Sequence, residues 1–208
     1  MTRMRIKFCG ITRSEDAQCA VVLGVDALGF VFTRRSKRFI EPAAAATIVR
    51  PLPPFVSRVA LFMDDDPAWI SQVISIVRPD VLQFHGEEPA SLCESFGRPY
   101  LKAVAMASVA DVGSYAAGFE RASGFLLDAH AAGQQGGSGE CFDWSRMPQL
   151  EKPLILAGGL DATNVGEAIQ MTRPYAVDVS SGIEIAPGIK DPRRMQEFVA
   201  AVRATTID

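Results

Sequence analysis

Residues 7–32 read KFCGITRSEDAQCAVVLGVDALGFVF, and three signals follow one another along them. An apolar, β-rich run ends at Cys9 and Gly10. Ser14, with Glu15 and Asp16 behind it, then opens a stretch with helical periodicity that runs to Gly24. A second apolar run, DALGFVF at 26–32, closes the unit. Strand, short loop, helix and strand in so few residues predict a parallel βαβ crossover rather than a hairpin. Gly-rich nucleotide fingerprints of the form G-x-G-x-x-G are missing from the first turn, FCGITRS, which argues against a dinucleotide-binding open sheet.

The same event recurs along the chain. Strand-like runs appear again in SRVALFM, DVLQFH, PYLKAV, SGFLLD, PLILAGG and YAVDVSSG, which brings their number to eight. Between them lie helix-like segments such as PAAAATIVR, PAWISQVISIVR, PASLCESFG, SVADVGSYAAG, DATNVGEAIQMT and DPRRMQEFVAAVRA. Pro67, Pro89 and Pro192 each follow an acid, which is a helix-start signal. The segment after the sixth run, between FDW and EKP, is too short for a confident helix. Eight alternating units without a linker predict an α/β fold: a closed (β/α)8 TIM barrel formed as one domain over residues 1–208.

Composition fits that fold and excludes several function classes. At 208 residues, 48% hydrophobic and 22% charged, a chain buries roughly 70% of its unfolded surface and needs no disulfide or metal to fold. A net charge of −3 gives no reason to expect binding to nucleic acid or an anionic membrane. No apolar run resembles a signal peptide or approaches the about 20 residues of a membrane span, so a cytoplasmic location is expected. Cys9, Cys19, Cys93 and Cys141 form no C-x-x-C pair, and only His85 and His130 are available beside them. Free thiols and no metal site follow.

In such barrels the chemistry sits on the loops after the C-terminal strand ends. Those ends carry Cys9-Gly10, His85-Gly86-Glu87, Asp128, Gly158-Gly159 and Ser180-Ser181-Gly182. The seventh and eighth are the usual phosphate loops. Gly158, Gly159, Ser180, Ser181 and Gly182 are therefore read as binding a phosphate monoester, the alternative being turn glycines with capping hydroxyls. Strand parity puts Lys7 with Cys9, Leu126 with Asp128 and Asp178 with Ser180 on shared faces.

Asp128, at the end of GFLLD, is the candidate general acid, since loss of hydration should favour its protonated form; a helix cap is the alternative. Cys9 can act as a base only as a thiolate. Lys7 would favour that form unless Asp178 on the eighth strand neutralises it; equally, Cys9 could be plain packing. Cys19 and Cys93 read as packing. His85 could bind substrate or close its loop, and His130 reads as a loop residue. Arg38 sits with Arg34, Arg35 and Lys37 in what could be a solvated basic loop.

Taken in order, KFCGIT, GFVF…SKRFI, QFHGEE, LLD, GGSGECFDW, LAGGL…NV and AVDVSSGIE…PGIKD resemble the phosphoribosylanthranilate isomerase family across nearly the whole chain. The resemblance implies a metal-free, cofactor-free Amadori rearrangement in tryptophan biosynthesis, with Cys9 as general base and Asp128 as general acid. It assigns Arg38 to the anthranilate carboxylate, and it implies a small-molecule substrate as the only ligand and a monomer or homodimer. Neighbouring phosphate barrels fit less well. Indole-glycerol-phosphate synthase would need a lysine–glutamate site on its early strands, pentose-phosphate epimerases would want metal ligands, and the histidine-pathway isomerase usually has aspartate where Cys9 stands. A barrel that had lost its chemistry would have no use for Cys9 and Asp128 together.

Overall fold

Apolar β-rich runs that are buried on both faces pair in parallel and need a helix to return each chain end to the start of the next strand. The computed structural model, which describes residues 3–129 and 143–205, shows that arrangement closed on itself. Its eight barrel strands are β1 (Arg5–Cys9), β2 (Ala27–Val31), β3 (Ser57–Phe62), β4 (Val81–Phe84), β5 (Tyr100–Ala105), β6 (Gly124–Asp128), β7 (Leu154–Leu156) and β8 (Ala176–Val179). Each pairs in parallel with the next, and β8 returns to β1 with Lys7 opposite Asp178. The eight expected strands are all present.

The helices α1 (Ser14–Val22), α2 (Pro42–Val49), α3 (Pro67–Val77), α4 (Ala90–Ser95), α5 (Val112–Ala117), α6 (Val165–Thr172) and α7 (Pro192–Ala204) fall in the expected segments. After β6 the described chain forms only a 3₁₀ turn at Trp144–Arg146, which accounts for the weak helical signal there. The start signals divide. Asp66 and Asp191 cap α3 and α7 through the Ala68 and Arg193 N–H groups. Glu88 does not cap α4. It is buried, bonding the Asp64 and Gly86 N–H groups and the Lys102 ammonium instead. Beyond β8 comes an element absent from the sequence reading, a small antiparallel hairpin of β9 (Glu184–Ala186) and β10 (Ile189–Lys190). His130 and Cys141 lie outside the described residues.

Strand parity sorts the core into two layers. Ile6, Phe8, Phe125, Leu127, Val177 and Val179 face outward into the shell shared with the helices. Within it Phe32, Phe62 and Phe84 follow one another round the barrel at centroid spacings of 5.9 and 6.1 Å. Leu126, Ala103, Ile155, Ala157 and Ala176 fill the inside. The opposite parity on β1, β6 and β8 therefore turns Cys9, Asp128 and Asp178 inward.

Lys102 is the exception, an outward-facing lysine that is fully buried, 2.8 Å from Glu88. Removing one partner of such a pair leaves an uncompensated charge. Lys102→Met should lower unfolding free energy by about 3–5 kcal/mol, read from urea denaturation; a loss under about 1 kcal/mol would mean that the pair behaves like a hydrated surface bridge.

Candidate active site

One pocket opens at the C-terminal ends of the barrel strands. It encloses about 760 Å³, part of it open to solvent, within the range of small-molecule sites. Every residue singled out as a site candidate except Gly182 lines it: Cys9, Arg38, His85, Asp128, Gly158, Gly159, Ser180 and Ser181. Gly182 lies behind the wall, where a Cβ would come within 2.0 Å of the Leu160 carbonyl oxygen. Its lack of a side chain lets the loops after β7 and β8 touch backbone to backbone. Ser180 makes a structural bond, its hydroxyl donating to the Cys9 carbonyl at 3.0 Å.

At the base of the pocket Lys7 Nζ stands 2.8 Å from Asp178 Oδ1, both buried. Asp178 holds the Lys7 ammonium above its ordinary pKa against the penalty of burial. The lysine's charge is thus already matched. Burial pushes the Cys9 thiol up, with Asp178 adding to the rise, and the opposing charges of Lys7 and Lys190 do not overcome it. Of the two outcomes open at the sequence level, neutralisation of Lys7 is the one found. Cys9 rests as a neutral thiol.

Above it, His85 and Asp128 meet, with Nε2 3.2 Å from Oδ2. The Gln83 side-chain amide nitrogen lies 3.2 Å from His85 Nδ1. The imidazole ring is held between the Gln83 amide and the Asp128 carboxyl group. His85 thus lines the pocket beside Asp128.

Arg38 is not part of a solvated basic loop. The chain after β2 folds back, with Ile40 N–H bonding the Val31 carbonyl, and this turns Arg38 inward while Arg34 and Arg35 stay exposed. Its Nε and one terminal nitrogen clasp Glu184 at 2.9 and 2.8 Å. Burial opposes its charge, but the Glu184 bonds outweigh that and raise its pKa. Glu184 also takes the buried Lys190 ammonium at 2.7 Å. Sequence reasoning missed Glu184 and Lys190. The available signal was their place in GIEIAPGIK, two charges at the ends of an apolar stretch. Val31, Leu61 and Met63 give the pocket an apolar side. Among the described residues no cluster of three or more His, Cys, Asp or Glu side chains is placed to hold a metal ion.

An inward-facing thiol and carboxyl group at the mouth of a closed barrel, with a guanidinium and the glycine-bearing loops after β7 and β8 around them, define a (β/α)8 barrel with a polar pocket at its C-terminal strand ends. Comparison with known proteins narrows the class. The family model for N-(5'-phosphoribosyl)anthranilate (PRA) isomerase matches residues 6–201. The chain is 51% identical over 205 residues to the N-(5'-phosphoribosyl)anthranilate isomerase of Acidithiobacillus ferrooxidans, covering 99% of this chain and 100% of that one. The crystal structure of phosphoribosyl anthranilate isomerase from Thermotoga maritima superposes with a TM-score of 0.85 at 42% identity, over 96% of this chain and 98% of that one. A crystal structure of phosphoribosyl anthranilate isomerase in complex with reduced 1-(o-carboxyphenylamino)-1-deoxyribulose 5-phosphate superposes at 0.81 with 39% identity, over 96% and 98%. The chain belongs to the N-(5'-phosphoribosyl)anthranilate isomerase family, a family of aldose–ketose isomerases.

Because Cys9 and Cys93 are both buried and both shifted upward, Cys93 to about 12, each should resist alkylation at neutral pH. Iodoacetamide labelling followed by peptide mass mapping should show Cys9 reacting more slowly than free cysteine at pH 7.5, with a rate that climbs toward alkaline pH. Labelling of Cys9 as fast as a low-pKa thiolate would contradict the neutral resting state.

Proposed function

We propose that the chain converts N-(5-phosphoribosyl)anthranilate to 1-(2-carboxyphenylamino)-1-deoxyribulose 5-phosphate in this pocket, with Cys9 as general base and Asp128 as general acid. One observation carries the assignment: Cys9 on β1 and Asp128 on β6, far apart in sequence, line one pocket with Arg38 and the glycine–serine loops.

Asp128 gives a proton to the furanose ring oxygen while the nitrogen lone pair moves in, so the C1–O bond breaks and an open Schiff base forms. Cys9, as thiolate, removes the proton from C2, leaving an enolamine. Loss of the O2 proton and gain of one at C1 then give the ketone, so the net change is a proton relocation with no redox partner. The 5-phosphate fits the loops carrying Gly158, Gly159, Ser180 and Ser181, where backbone groups approach closely. The anthranilate ring fits the apolar side by Val31, Leu61 and Met63, with its carboxylate toward Arg38, whose planar fork suits that acceptor. No helix among the described residues is long and apolar enough to cross a membrane, which is consistent with work on a soluble metabolite in the cytoplasm.

Loss of phosphoribosylanthranilate fluorescence measures turnover. Asp128→Asn and Cys9→Ser should each lower kcat by roughly a hundred- to ten-thousand-fold while keeping the melting temperature and the affinity for the reduced product analogue. Inorganic phosphate should compete with substrate. Near-normal turnover by Cys9→Ser would remove the thiol from the mechanism. The pH profile adds a sign. The base works deprotonated and burial raises its pKa, so kcat/KM should show an inflection above about 8.5, the free-thiol value, whatever slope the titration of Asp128 gives below it. A profile with no inflection above that value would mean that the proton acceptor is not Cys9.

A further inference from the structure

Arg38 is the end of a longer chain of charges. Its guanidinium is clasped by Glu184, whose Oε1 also accepts from Lys190 Nζ at 2.7 Å and from the Gly188 N–H at 3.1 Å. Lys190 continues inward. Its ammonium bonds the Cys9 carbonyl at 2.5 Å and the Ser180 carbonyl at 3.2 Å, so it touches the main chain at the ends of β1 and β8. The hairpin that carries Glu184 and Lys190 is itself fastened to the first loop and helix. Thr12 Oγ1 bonds the Gly188 carbonyl, and the buried Asp16 carboxylate takes the Lys190 N–H at 3.1 Å while gripping Arg13 at 2.6 Å. The stem of Arg38 is equally confined. Gly10, with φ of +74°, lies directly under it, and a Cβ there would come 2.6 Å from Arg38 Cδ.

We propose that Glu184 and Lys190 are positioning residues for substrate recognition. Glu184 sets the plane of the Arg38 guanidinium, and Lys190 restores the positive charge that Glu184 takes away. The inference rests on the reading of Arg38 as the group that receives the anthranilate carboxylate.

Charge count and geometry make the case together. An arginine–glutamate pair alone is neutral and has little attraction for an anion. With Lys190 the buried set carries one net positive charge. Without Glu184 the buried Lys190 and the half-buried Arg38 would repel one another, and Arg38 would leave its bed over Gly10 for solvent. A mobile exposed guanidinium gains far less from a carboxylate than a fixed, partly desolvated one, a difference of about tenfold or more in binding. The link to Cys9 gives the arrangement its purpose. The group that holds one end of the substrate is tied, through two side chains, to the backbone of the residue that takes its C2 proton.

The test compares two ligands by titration calorimetry: reduced 1-(2-carboxyphenylamino)-1-deoxyribulose 5-phosphate and the same compound with a plain phenyl ring. Their affinity ratio isolates the carboxylate, since sugar and phosphate are common to both. Glu184→Gln and Lys190→Met should each cut that ratio by about tenfold or more, leaving the phenyl compound within about twofold, and Glu184→Asp should recover part of it. Arg38→Met is the reference and should abolish the preference. If Arg38→Met abolishes it but Glu184→Gln and Lys190→Met retain it, the positioning role is overturned while the reading of Arg38 stands. If Arg38→Met retains the preference, that reading fails and the inference falls with it. Equal weakening of both ligands would show the triad to be only a structural brace. Should Glu184→Gln melt before binding can be measured, Glu184→Asp and Lys190→Met decide by the same ratio.

Discussion

A closed eight-stranded barrel has no wet inner face, so a charge that reaches its interior must arrive with a counter-charge or a full set of hydrogen bonds. That constraint organises the whole mouth of this protein. Lys7 is matched by Asp178, and Arg38 and Lys190 share Glu184, while the Asp128 carboxyl group faces the His85 ring. Each set joins strands or loops distant in sequence: β1 with β8, β4 with β6, and the loop after β2 with the hairpin after β8. The charges that prepare the pocket for chemistry therefore also hold its rim together. This is why the hairpin, a minor element by size, is wired into β1 by Lys190 and into α1 by Asp16.

Much of this was legible in the sequence, for a simple reason. Side chains alternate along a strand, and in a barrel one parity faces the helices and the other the interior. Once the eight apolar runs were recognised, the sharing of one face by Lys7 and Cys9, by Leu126 and Asp128, and by Asp178 and Ser180 followed without coordinates; that this face is the inner one for Cys9, Asp128 and Asp178 came from the structure. The glycines after the seventh and eighth strands read as room for a ligand, and four of the five residues read that way do line the pocket; Gly182 instead lies against the Leu160 carbonyl, where one loop packs on the other.

What stayed hidden depends on long-range pairing, which periodicity does not report. Arg38 looked like one member of a basic loop because Arg34, Arg35 and Lys37 surround it; only Glu184, 146 positions away, distinguishes it. Glu88 looked like a helix start because it precedes Pro89, yet local capping lost to a buried lysine and two backbone donors. The β9–β10 hairpin is two to three residues per strand, too short for an alternation to register. Lys190 fell in the same blind spot, since a charged residue before Asp191 and Pro192 reads as the approach to a helix.

The neutral thiol at the centre makes sense in the same terms. The pocket already contains the Asp178 carboxylate, and the substrate proposed for it would add a phosphate and a carboxylate. A permanently charged base at position 9 would stand among these anions with Lys7 already matched by Asp178, and like charges in a desolvated site disfavour one another strongly. A thiol avoids that conflict because it is buried uncharged and becomes an anion only in the small fraction of molecules that lose a proton. The thiolate is nonetheless intrinsically nucleophilic and polarizable, so a low population does not prevent proton abstraction at carbon. On this reading the elevated pKa of Cys9 is the condition under which a base can share a closed pocket with Asp178 and a ligand that carries both a phosphate and a carboxylate. Lys7, and after it Lys190, whose ammonium also reaches the Cys9 carbonyl, oppose that rise and keep it from shutting the base off altogether.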